Sequence, residues 1–279
     1  MSKQHRFLKT TRRQIHHLLI DLWELLLNRL PPMTPPRRWI PTFQGSRREF
    51  HRSGQNQRDR IVQQCNMRPN QRILDVGCGA GRLAVALTQF LSEQGSYEGF
   101  DPHQGRILWC QKSITPKFPH FRFTWANVSN GAFNPSSRVS ASTYRFPYPN
   151  QSFDVVTLLS VFTHMLPEEV VHYFLEIARV LKPGGLAYIT YFLINPWALT
   201  QLREKNSVKP HFRNLLKQNH GTYRTAFPKT HEALVAYPES NILQLYGQAG
   251  FVIQDSIQYG NWCGRETPFL QDVIVSVKS

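Results

Sequence analysis

The stretch ILDVGCGAGR, at residues 73–82, decides the fold of this 279-residue chain. Its first four residues belong to a short apolar run that predicts a β-strand, and Leu83, Leu87 and Leu91 then recur at helical spacing. Three glycines therefore lie between a strand and a helix, where backbone N–H groups can approach a ligand closely. Ligands of open α/β sheets bind beyond the carboxyl ends of the strands, which is the place of this turn.

Strand and helix patterns alternate from residue 72 onward. The predicted strands cover residues 72–76, 97–101, 121–125, 153–159, 186–193, 251–257 and 272–277. No crossover helix separates the last two strands, so we expect them to be antiparallel. The pattern predicts an α/β fold with a doubly wound sheet of seven strands, mostly parallel with an antiparallel last strand.

Three parts of the chain differ in composition. Residues 1–55 are basic and proline-rich, and predict a helical extension (a helix over about 6–30) followed by a linker. Residues 56–279 carry the alternating pattern and predict the main domain. Within it, residues 196–237 interrupt the alternation with mixed polar and aromatic content, so we expect an inserted cap or lid there.

Positive charge is concentrated near the amino terminus. Residues 1–72 hold 15 Lys/Arg and 4 Asp/Glu, a net charge of +11 out of +15 for the whole chain. An anionic partner or an anionic membrane surface would explain this charge, but we favour a solvated basic cap on an enzyme, because charge alone does not identify a partner. Asp21 and Glu24 interrupt the apolar run 18–27, which is too short for a transmembrane segment.

The cysteines indicate a reducing compartment. Cys65, Cys78, Cys110 and Cys263 have neither the spacing of a metal site nor a secretory signal before them, so we expect free thiols and a cytoplasmic protein.

A dinucleotide site is the obvious rival interpretation of the glycine turn. Its G-x-G-x-x-G fingerprint, started from Gly77 and Gly79, would need a third glycine at Arg82. Asp75, immediately before the turn, would also repel a pyrophosphate, whereas a carboxylate suits a ligand with an amino group. The residues therefore disfavour a nicotinamide cofactor.

The stretch 73–82 resembles the first motif of class I S-adenosylmethionine-dependent methyltransferases. Residues 99–101 (GFD), 152–156 (SFDVV) and 179–185 (RVLKPGG) resemble further motifs of that superfamily in the same order. The chain is also similar to a group of largely uncharacterised bacterial enzymes with SVFTHM after the fourth strand, here residues 160–165. The resemblance covers about residues 68–279 and implies a Rossmann-like sheet with S-adenosylmethionine as cofactor.

The resemblance also implies cofactor contacts. They would come from Asp75, Gly77, Cys78, Gly79, Gly81, Asp101, Pro102, Asn127, Leu159 and Ser160. Asp101 would accept hydrogen bonds from the ribose hydroxyls, as a carboxylate at that strand end commonly does. Asn127 stands where the superfamily usually has an acidic residue that contacts the adenine amino group, and its side-chain oxygen can accept the same bond.

His164 is the candidate catalytic residue. It follows the fourth strand at the rim where an acceptor should bind, and an oxygen acceptor must lose a proton to a base such as histidine. A hydrogen-bonded structural histidine is an equal alternative. Further candidates for contacts with the acceptor are Tyr191, Asn195, Trp262 and Arg265. We expect no metal, since His211, His220 and His231 are irregularly spaced.

Three functions remain open on the sequence. The first is methyl transfer to an oxygen of a small or medium-sized molecule, such as a metabolite, glycan or lipid head group. The second is methylation of RNA or protein with help from the basic region. No RNA-binding module and no Asn/Asp-Pro-Pro-Tyr motif supports it, so we do not expect nucleic acid as a partner. The third is a non-catalytic binding protein that keeps the fold as a scaffold.

Overall fold

A computed structural model describes residues 19–20, 31–40, 46–131, 133–204 and 208–279. The helix predicted over 6–30 therefore lies outside the described residues, apart from residues 19 and 20, and so does much of the basic region. Within the described ranges, no helix has the length and apolar character needed to cross a membrane.

The main elements follow one another in the order expected of an α/β fold. They are α1 (Arg47–Gln64), β1 (Arg72–Val76), α2 (Arg82–Leu87), β2 (Ser96–Asp101), α3 (Gln104–Ser113), β3 (Phe121–Trp125), β4 (Phe153–Leu158), α4 (Pro167–Val180), β5 (Leu181–Tyr191), β6 (Leu193–Ile194), α5 (Pro196–Glu204), α6 (Pro210–Arg213), β7 (Arg224–Thr225), β8 (Val235–Pro238), α7 (Glu239–Gln248), β9 (Phe251–Ile253) and β10 (Asp272–Lys278). Short 3₁₀ turns include Phe162–His164 and His231–Ala233.

Seven strands form one sheet in the order β3-β2-β1-β4-β5-β10-β9. The pairs from β3 to β5 are parallel, and β10 is antiparallel to both of its neighbours. The predicted fold class is confirmed, including the single antiparallel strand at the carboxyl end of the chain. The chain passes from β1 outward to β3 and then returns to the other side of β1, so the carboxyl ends of β1 and β4 flank a switch point where α/β proteins bind ligands.

Two predicted boundaries were wrong. The strand predicted over 186–193 begins earlier, at Leu181, which is extended and pairs with Phe153 as the first residue of β5. The helix ends here for a local reason. Lys182 precedes Pro183, and the helical conformation is disfavoured for a residue before proline. The strand predicted over 251–257 ends at Ile253, and Asp255 adopts a φ of +54° that turns the chain away.

The predicted boundary between residues 55 and 56 falls inside α1. This helix begins at Ser46, whose Oγ accepts a hydrogen bond from the Glu49 N–H (3.3 Å). Phe50 and Ile61 are buried in the core on one face of the sheet, so the helix belongs to the main domain. It packs closely against α2 at Gly54, where a Cβ atom would lie 2.5 Å from the Arg82 carbonyl oxygen.

The segment predicted as a cap, 196–237, contains α5, α6 and β7 and ends within β8. Its strands join β6 in a separate three-stranded sheet of order β6-β8-β7. Because β6 directly follows β5, this small sheet is attached at the carboxyl end of the main sheet, on the side where ligands bind.

The close approach at Gly54 generates a test of stability. Alanine normally stabilises a helix relative to glycine, but Gly54→Ala should lower the free energy of unfolding by about 1–3 kcal/mol because the added methyl group meets backbone atoms. Gly247→Ala in α7 is the matched control, since nothing lies within 4 Å of its Cβ position, and it should be neutral or raise stability by about 0.5 kcal/mol. Urea denaturation midpoints measure both effects. Equal midpoint shifts for the two variants would contradict the tight packing.

Candidate functional site

A cavity opens at the carboxyl ends of the central strands. Its walls come from the glycine turn, from the end of β2, from residues after β3 and from residues after β4. Part of its wall comes from residues that precede β1 in the chain, namely Trp39, Phe50 and Gln57. The helix α4 contributes Glu169 and Tyr173. The cavity therefore lies at the switch point of the sheet.

The glycine turn has a strained backbone that only glycine adopts easily. Gly77, Gly79 and Gly81 have φ angles of +74°, +57° and +74°. At Gly79 no atom lies within 4 Å of a Cβ position, so its backbone is open to a ligand. At Gly81 a Cβ would lie 2.9 Å from the Ile114 side chain. Gly81, expected among the cofactor contacts, thus serves helix packing and is not part of the cavity wall.

Asp101 joins the end of β2 to the glycine turn. It is buried, and its two oxygens accept hydrogen bonds from the Gly79 N–H (2.9 Å) and the His103 N–H (2.8 Å). Burial raises the pKa of this carboxyl group, while nearby Arg106 and the two N–H donors oppose that rise. Each oxygen retains a lone pair, so the pair can accept bonds from two adjacent hydroxyl groups.

Asp75 lies beneath the turn in a buried network. Its carboxylate accepts hydrogen bonds from the Tyr97 hydroxyl (2.6 Å) on β2 and the Thr157 hydroxyl (2.9 Å) on β4. Burial raises its pKa to about 6, against the effect of these two bonds and of the positive charge of Arg82. Asp75 also lines the cavity, so it links three strands and gives the site a negative charge when ionised.

Most of the expected cofactor contacts come together in this cavity. Cys78, Pro102, Leu159 and Ser160 line it together with Asp75, Gly77, Gly79 and Asp101. Asn127 does not. Its Oδ1 accepts a hydrogen bond from Asn134 Nδ2 (3.0 Å), and it lines an adjoining recess that shares Trp39, Pro102 and Phe133 with the cavity.

Ser160 marks a sharp bend after β4. Its φ is +63°, which is uncommon for any residue except glycine. Its N–H donates to Thr190 Oγ1 (2.8 Å), and its hydroxyl donates to Gln271 Oε1 (2.8 Å). These two bonds hold the strained backbone at the edge of the cavity, where such strain is commonly found.

His164 lines the cavity and is held by the cap. Its Nδ1 lies 2.8 Å from the Glu232 carbonyl oxygen, which can only accept, so Nδ1 carries the proton and Nε2 is left as an acceptor. Burial lowers the pKa of His164, which favours the neutral ring. The Glu232 carboxylate accepts a hydrogen bond from the Gly131 N–H (2.7 Å), so one cap residue contacts both His164 and the loop after β3.

The four residues expected to contact the acceptor lie elsewhere. Tyr191 is buried and shares a hydrogen bond with Tyr246 (2.9 Å). Asn195 caps α5 by accepting from the Ala198 N–H, Trp262 donates to Asp272, and Arg265 stacks on Trp197 and Tyr259. None of the four forms part of the cavity wall. Strand-end position alone was too coarse a criterion, because these side chains pair within the core and the cap.

Sequence reasoning missed the residues that close the cavity. Phe50 and Gln57 belong to α1, whose sequence is too polar to show a clear hydrophobic period. Glu169 and Tyr173 share one face of α4. Their spacing of four residues places them one above the other, which the sequence could have shown.

The histidines of the cap make no metal site in the described chain, where no group of three His, Cys, Asp or Glu residues is suited to a metal ion. His220 and His231 instead form a ring cluster with Tyr223, whose hydroxyl lies 2.7 Å from His231 Nδ1. All four cysteines are buried and unpaired.

Part of the chain matches a known protein family. Residues 74–189 match the family described as "Methyltransferase domain", and this match spans the glycine turn, Asp101 and His164. This match agrees with the resemblance to class I S-adenosylmethionine-dependent methyltransferases. S-adenosylmethionine remains the expected cofactor.

The relatives of this chain are distant. An uncharacterised methyltransferase of Schizosaccharomyces pombe is 29% identical over 119 residues, 43% of this chain and 39% of the relative. The tRNA N(3)-cytidine methyltransferase METTL2 of Gallus gallus is 29% identical, over 48% of this chain and 33% of the relative. The ubiquinone/menaquinone biosynthesis C-methyltransferase UbiE of Yersinia pestis is 23% identical, over 71% and 72%. The match thus spans less than half of the first two relatives.

Solved structures share the fold. A methyltransferase from Methanosarcina mazei has a TM-score of 0.53 and 21% identity, covering 78% of this chain and 96% of its own. Magnesium protoporphyrin IX methyltransferase from Synechocystis PCC 6803, with bound S-adenosylhomocysteine, has a TM-score of 0.52 and 18% identity, covering 83% and 86%. The [4+2]-cyclase SpnF has a TM-score of 0.52 and 17% identity, covering 80% of each chain.

The contacts of Glu232 can be tested by hydrogen exchange. Glu232→Ala removes the acceptor of the Gly131 N–H, so amide exchange in a peptide containing Gly131 should accelerate about tenfold, as expected for a lost bond to a charged acceptor. Glu232→Gln keeps an acceptor oxygen and should change exchange much less. If the two variants exchange alike, the side chain of Glu232 does not hold this loop.

Proposed function

We propose that this protein transfers a methyl group from S-adenosylmethionine to an oxygen of a small or medium-sized, largely apolar molecule. The observation that carries the proposal is the pairing of Asp101 with the open glycine turn in a cavity that also contains His164. When bound, S-adenosylmethionine supplies an electrophilic methyl group on a positively charged sulfur.

The residues around the glycine turn fit this cofactor. Two oxygens of Asp101, each already fixed by one N–H, suit the two vicinal hydroxyls of a ribose. The bare backbone at Gly79 permits close contact. The recess that contains Asn127 adjoins Pro102 and provides an amide side chain for the adenine ring. The cofactor would therefore extend from the glycine turn towards this recess.

The opposite half of the cavity suits a neutral or cationic acceptor. Its walls include the apolar residues Val128, Ala141 and Met165. The arginines of the cavity act on the acidic groups of the cofactor side, Arg82 on Asp75 and Arg106 on Asp101. Glu169 leaves the acceptor half with negative rather than positive character, which disfavours a phosphate group there.

His164 can act as the base for a hydroxyl acceptor. Its Nε2 is an acceptor because Nδ1 donates to the Glu232 carbonyl, and that carbonyl would also stabilise the ring after it takes the proton. The base would thus remove the proton of the hydroxyl while the apolar walls exclude water and hold the nucleophile in place.

Two other functions have specific support. The relative METTL2 is described as a tRNA methyltransferase, and the basic segment at residues 1–72 could contact an anionic partner or membrane surface. The fold neighbour SpnF is described as a cyclase, so this fold alone does not fix the chemistry. The negative character of the acceptor half favours a small neutral molecule over a nucleic acid. A cytoplasmic location belongs to the same proposal.

Cofactor binding is the first test. Wild-type protein should bind S-adenosylhomocysteine in isothermal titration calorimetry, and Asp101→Ala should weaken binding about 100-fold by removing acceptors for charge-assisted hydrogen bonds. Asp154→Asn is the matched control, because this carboxylate pairs with Lys182 and the Arg72 N–H at the other end of the sheet. It should leave affinity unchanged. A folded wild-type protein that binds neither S-adenosylmethionine nor S-adenosylhomocysteine would overturn the proposed function.

The pH profile tests the role of His164. The pKa of His164 lies below its ordinary value of 6.5, so transfer of a labelled methyl group to a neutral hydroxylated compound should rise with pH below about 6.5 and be constant above it. His164→Asn keeps a donor for the Glu232 carbonyl but no base, and should lower the rate about 10²- to 10⁴-fold with cofactor affinity unchanged. If the variant keeps its activity, His164 only orients the loop.

A further inference from the structure

One face of α4 places two polar side chains in the cavity. Glu169 and Tyr173 are four residues apart, so they lie one above the other on the helix, and both line the cavity wall. Tyr173 is only 6% exposed, and its hydroxyl makes no hydrogen bond with any residue that the structure describes. This hydroxyl is therefore available to a ligand.

Glu169 is fixed at the start of α4 through one of its two oxygens. Its Oε2 accepts a hydrogen bond from the Leu166 N–H (2.7 Å), which holds the side chain at the first turn of the helix. The other oxygen, Oε1, accepts no hydrogen bond from the described part of the chain. Glu169 thus combines a fixed position with an oxygen that can accept a hydrogen bond from a ligand.

The charge of Glu169 is not balanced by a cation of the described residues. Apart from burial, the groups that shift its pKa are the Leu166 N–H and two further carboxylates, those of Glu232 and Glu168. The arginines of the cavity act instead on the carboxylates near the glycine turn. A partly buried carboxylate with like charges around it is stabilised by a cation, so the surroundings of Glu169 favour a positively charged ligand.

Glu232 lies close to both Glu169 and His164. Its charge acts on these two side chains, and its carbonyl oxygen accepts the hydrogen bond from His164 Nδ1. The helix α4 also begins only three residues after His164. The carboxylate of Glu169 and the Nε2 atom of His164 therefore belong to the same half of the cavity.

We propose that the methyl acceptor carries a protonated amine, which Glu169 and Tyr173 bind while His164 faces the hydroxyl that receives the methyl group. The ammonium group donates to Glu169 Oε1 and to the Tyr173 hydroxyl oxygen. A protonated amine has no lone pair with which to attack, so the hydroxyl remains the nucleophile. This inference rests on the proposed function and narrows its acceptor from a neutral or cationic molecule to a hydroxylated amine.

Matched ligands test the recognition of the amine. Two pairs differ only in a terminal ammonium or methyl group: tyramine with 4-propylphenol, and 5-amino-1-pentanol with 1-hexanol. Calorimetry would measure their binding to the complex of the protein with S-adenosylhomocysteine. Wild-type protein should bind the amine of at least one pair about 10- to 100-fold more tightly than its counterpart, as expected for a charge-assisted hydrogen bond. No preference for the amine in either pair, or no binding of any of the four compounds, would overturn the proposal.

Variants of α4 assign the preference to individual side chains. Glu169→Gln keeps an oxygen for the Leu166 N–H, so the start of the helix is retained, but it removes the charge and should abolish the preference for the amine. Glu168→Gln is the matched control, because this neighbouring carboxylate is exposed and does not line the cavity, and it should leave the preference unchanged. Tyr173→Phe should lower the affinity for the amine about three- to tenfold and leave that for its counterpart unchanged.

The cofactor is a second source of positive charge, so its affinity is measured alongside. A preference for the amine that survives in Glu169→Gln would overturn the role of Glu169. A loss of affinity by that variant for S-adenosylmethionine but not for S-adenosylhomocysteine would then assign the carboxylate to the sulfonium. A wild-type protein that binds neither of these two compounds would instead overturn the proposed function itself.

Discussion

The hydrogen bond from the Gly79 N–H to the buried Asp101 carboxylate is the constraint on which the site depends. It fixes the end of β2 against a turn whose glycines all have positive φ. Because the Gly77 and Cys78 N–H groups also donate to the Phe100 carbonyl, the turn is attached to β2 by its backbone as well. The open side of Gly79 and the remaining lone pairs of Asp101 are therefore presented to a ligand with little freedom to move.

This constraint is supported from below by Asp75. A buried carboxylate is costly unless it is hydrogen-bonded, and here hydroxyls from the two strands on either side of β1 provide the bonds. The central three strands are thus joined by side chains as well as by the ladder. The raised pKa of Asp75, about 6, shows that these bonds only partly offset its burial. A cation bound nearby would lower that pKa and favour the ionised carboxylate.

Much of the fold could be predicted from the sequence, because parallel strands covered on both faces have continuous apolar runs and their connecting helices have clear boundaries. Residues 153–158 and 72–76 are such runs, and both are strands. Helix α1 was missed for the opposite reason. It buries Phe50 and Ile61 but exposes mostly polar residues, so no regular pattern distinguished it from a linker.

The two parts of the cavity also differ in how far they could be predicted from the sequence. The part of the cavity around the glycine turn could be predicted, because a turn with positive φ angles needs glycines and Asp101 ends β2, and both are local features of the sequence. The opposite part could not, because its residues come together only through tertiary packing. Tyr191 ends β5 and Trp262 lies in the loop between β9 and β10, yet hydrogen bonds to Tyr246 and Asp272 hold both side chains within the core. Glu169 and Tyr173 lie in the cavity because α4 packs beside it.

The two halves of the cavity differ in the charged groups that line them. Arg82 and Arg106 act on the carboxylates of Asp75 and Asp101 near the glycine turn, whereas Glu169 and His164 line the opposite half of the cavity. Under the proposed function, a positively charged sulfur bound between the two halves would be attracted towards Glu169. The cap contributes through Glu232, whose carbonyl fixes the tautomer of His164. Placement of His164 therefore depends on the cap, so changes in the cap can move this side chain without changing the glycine turn.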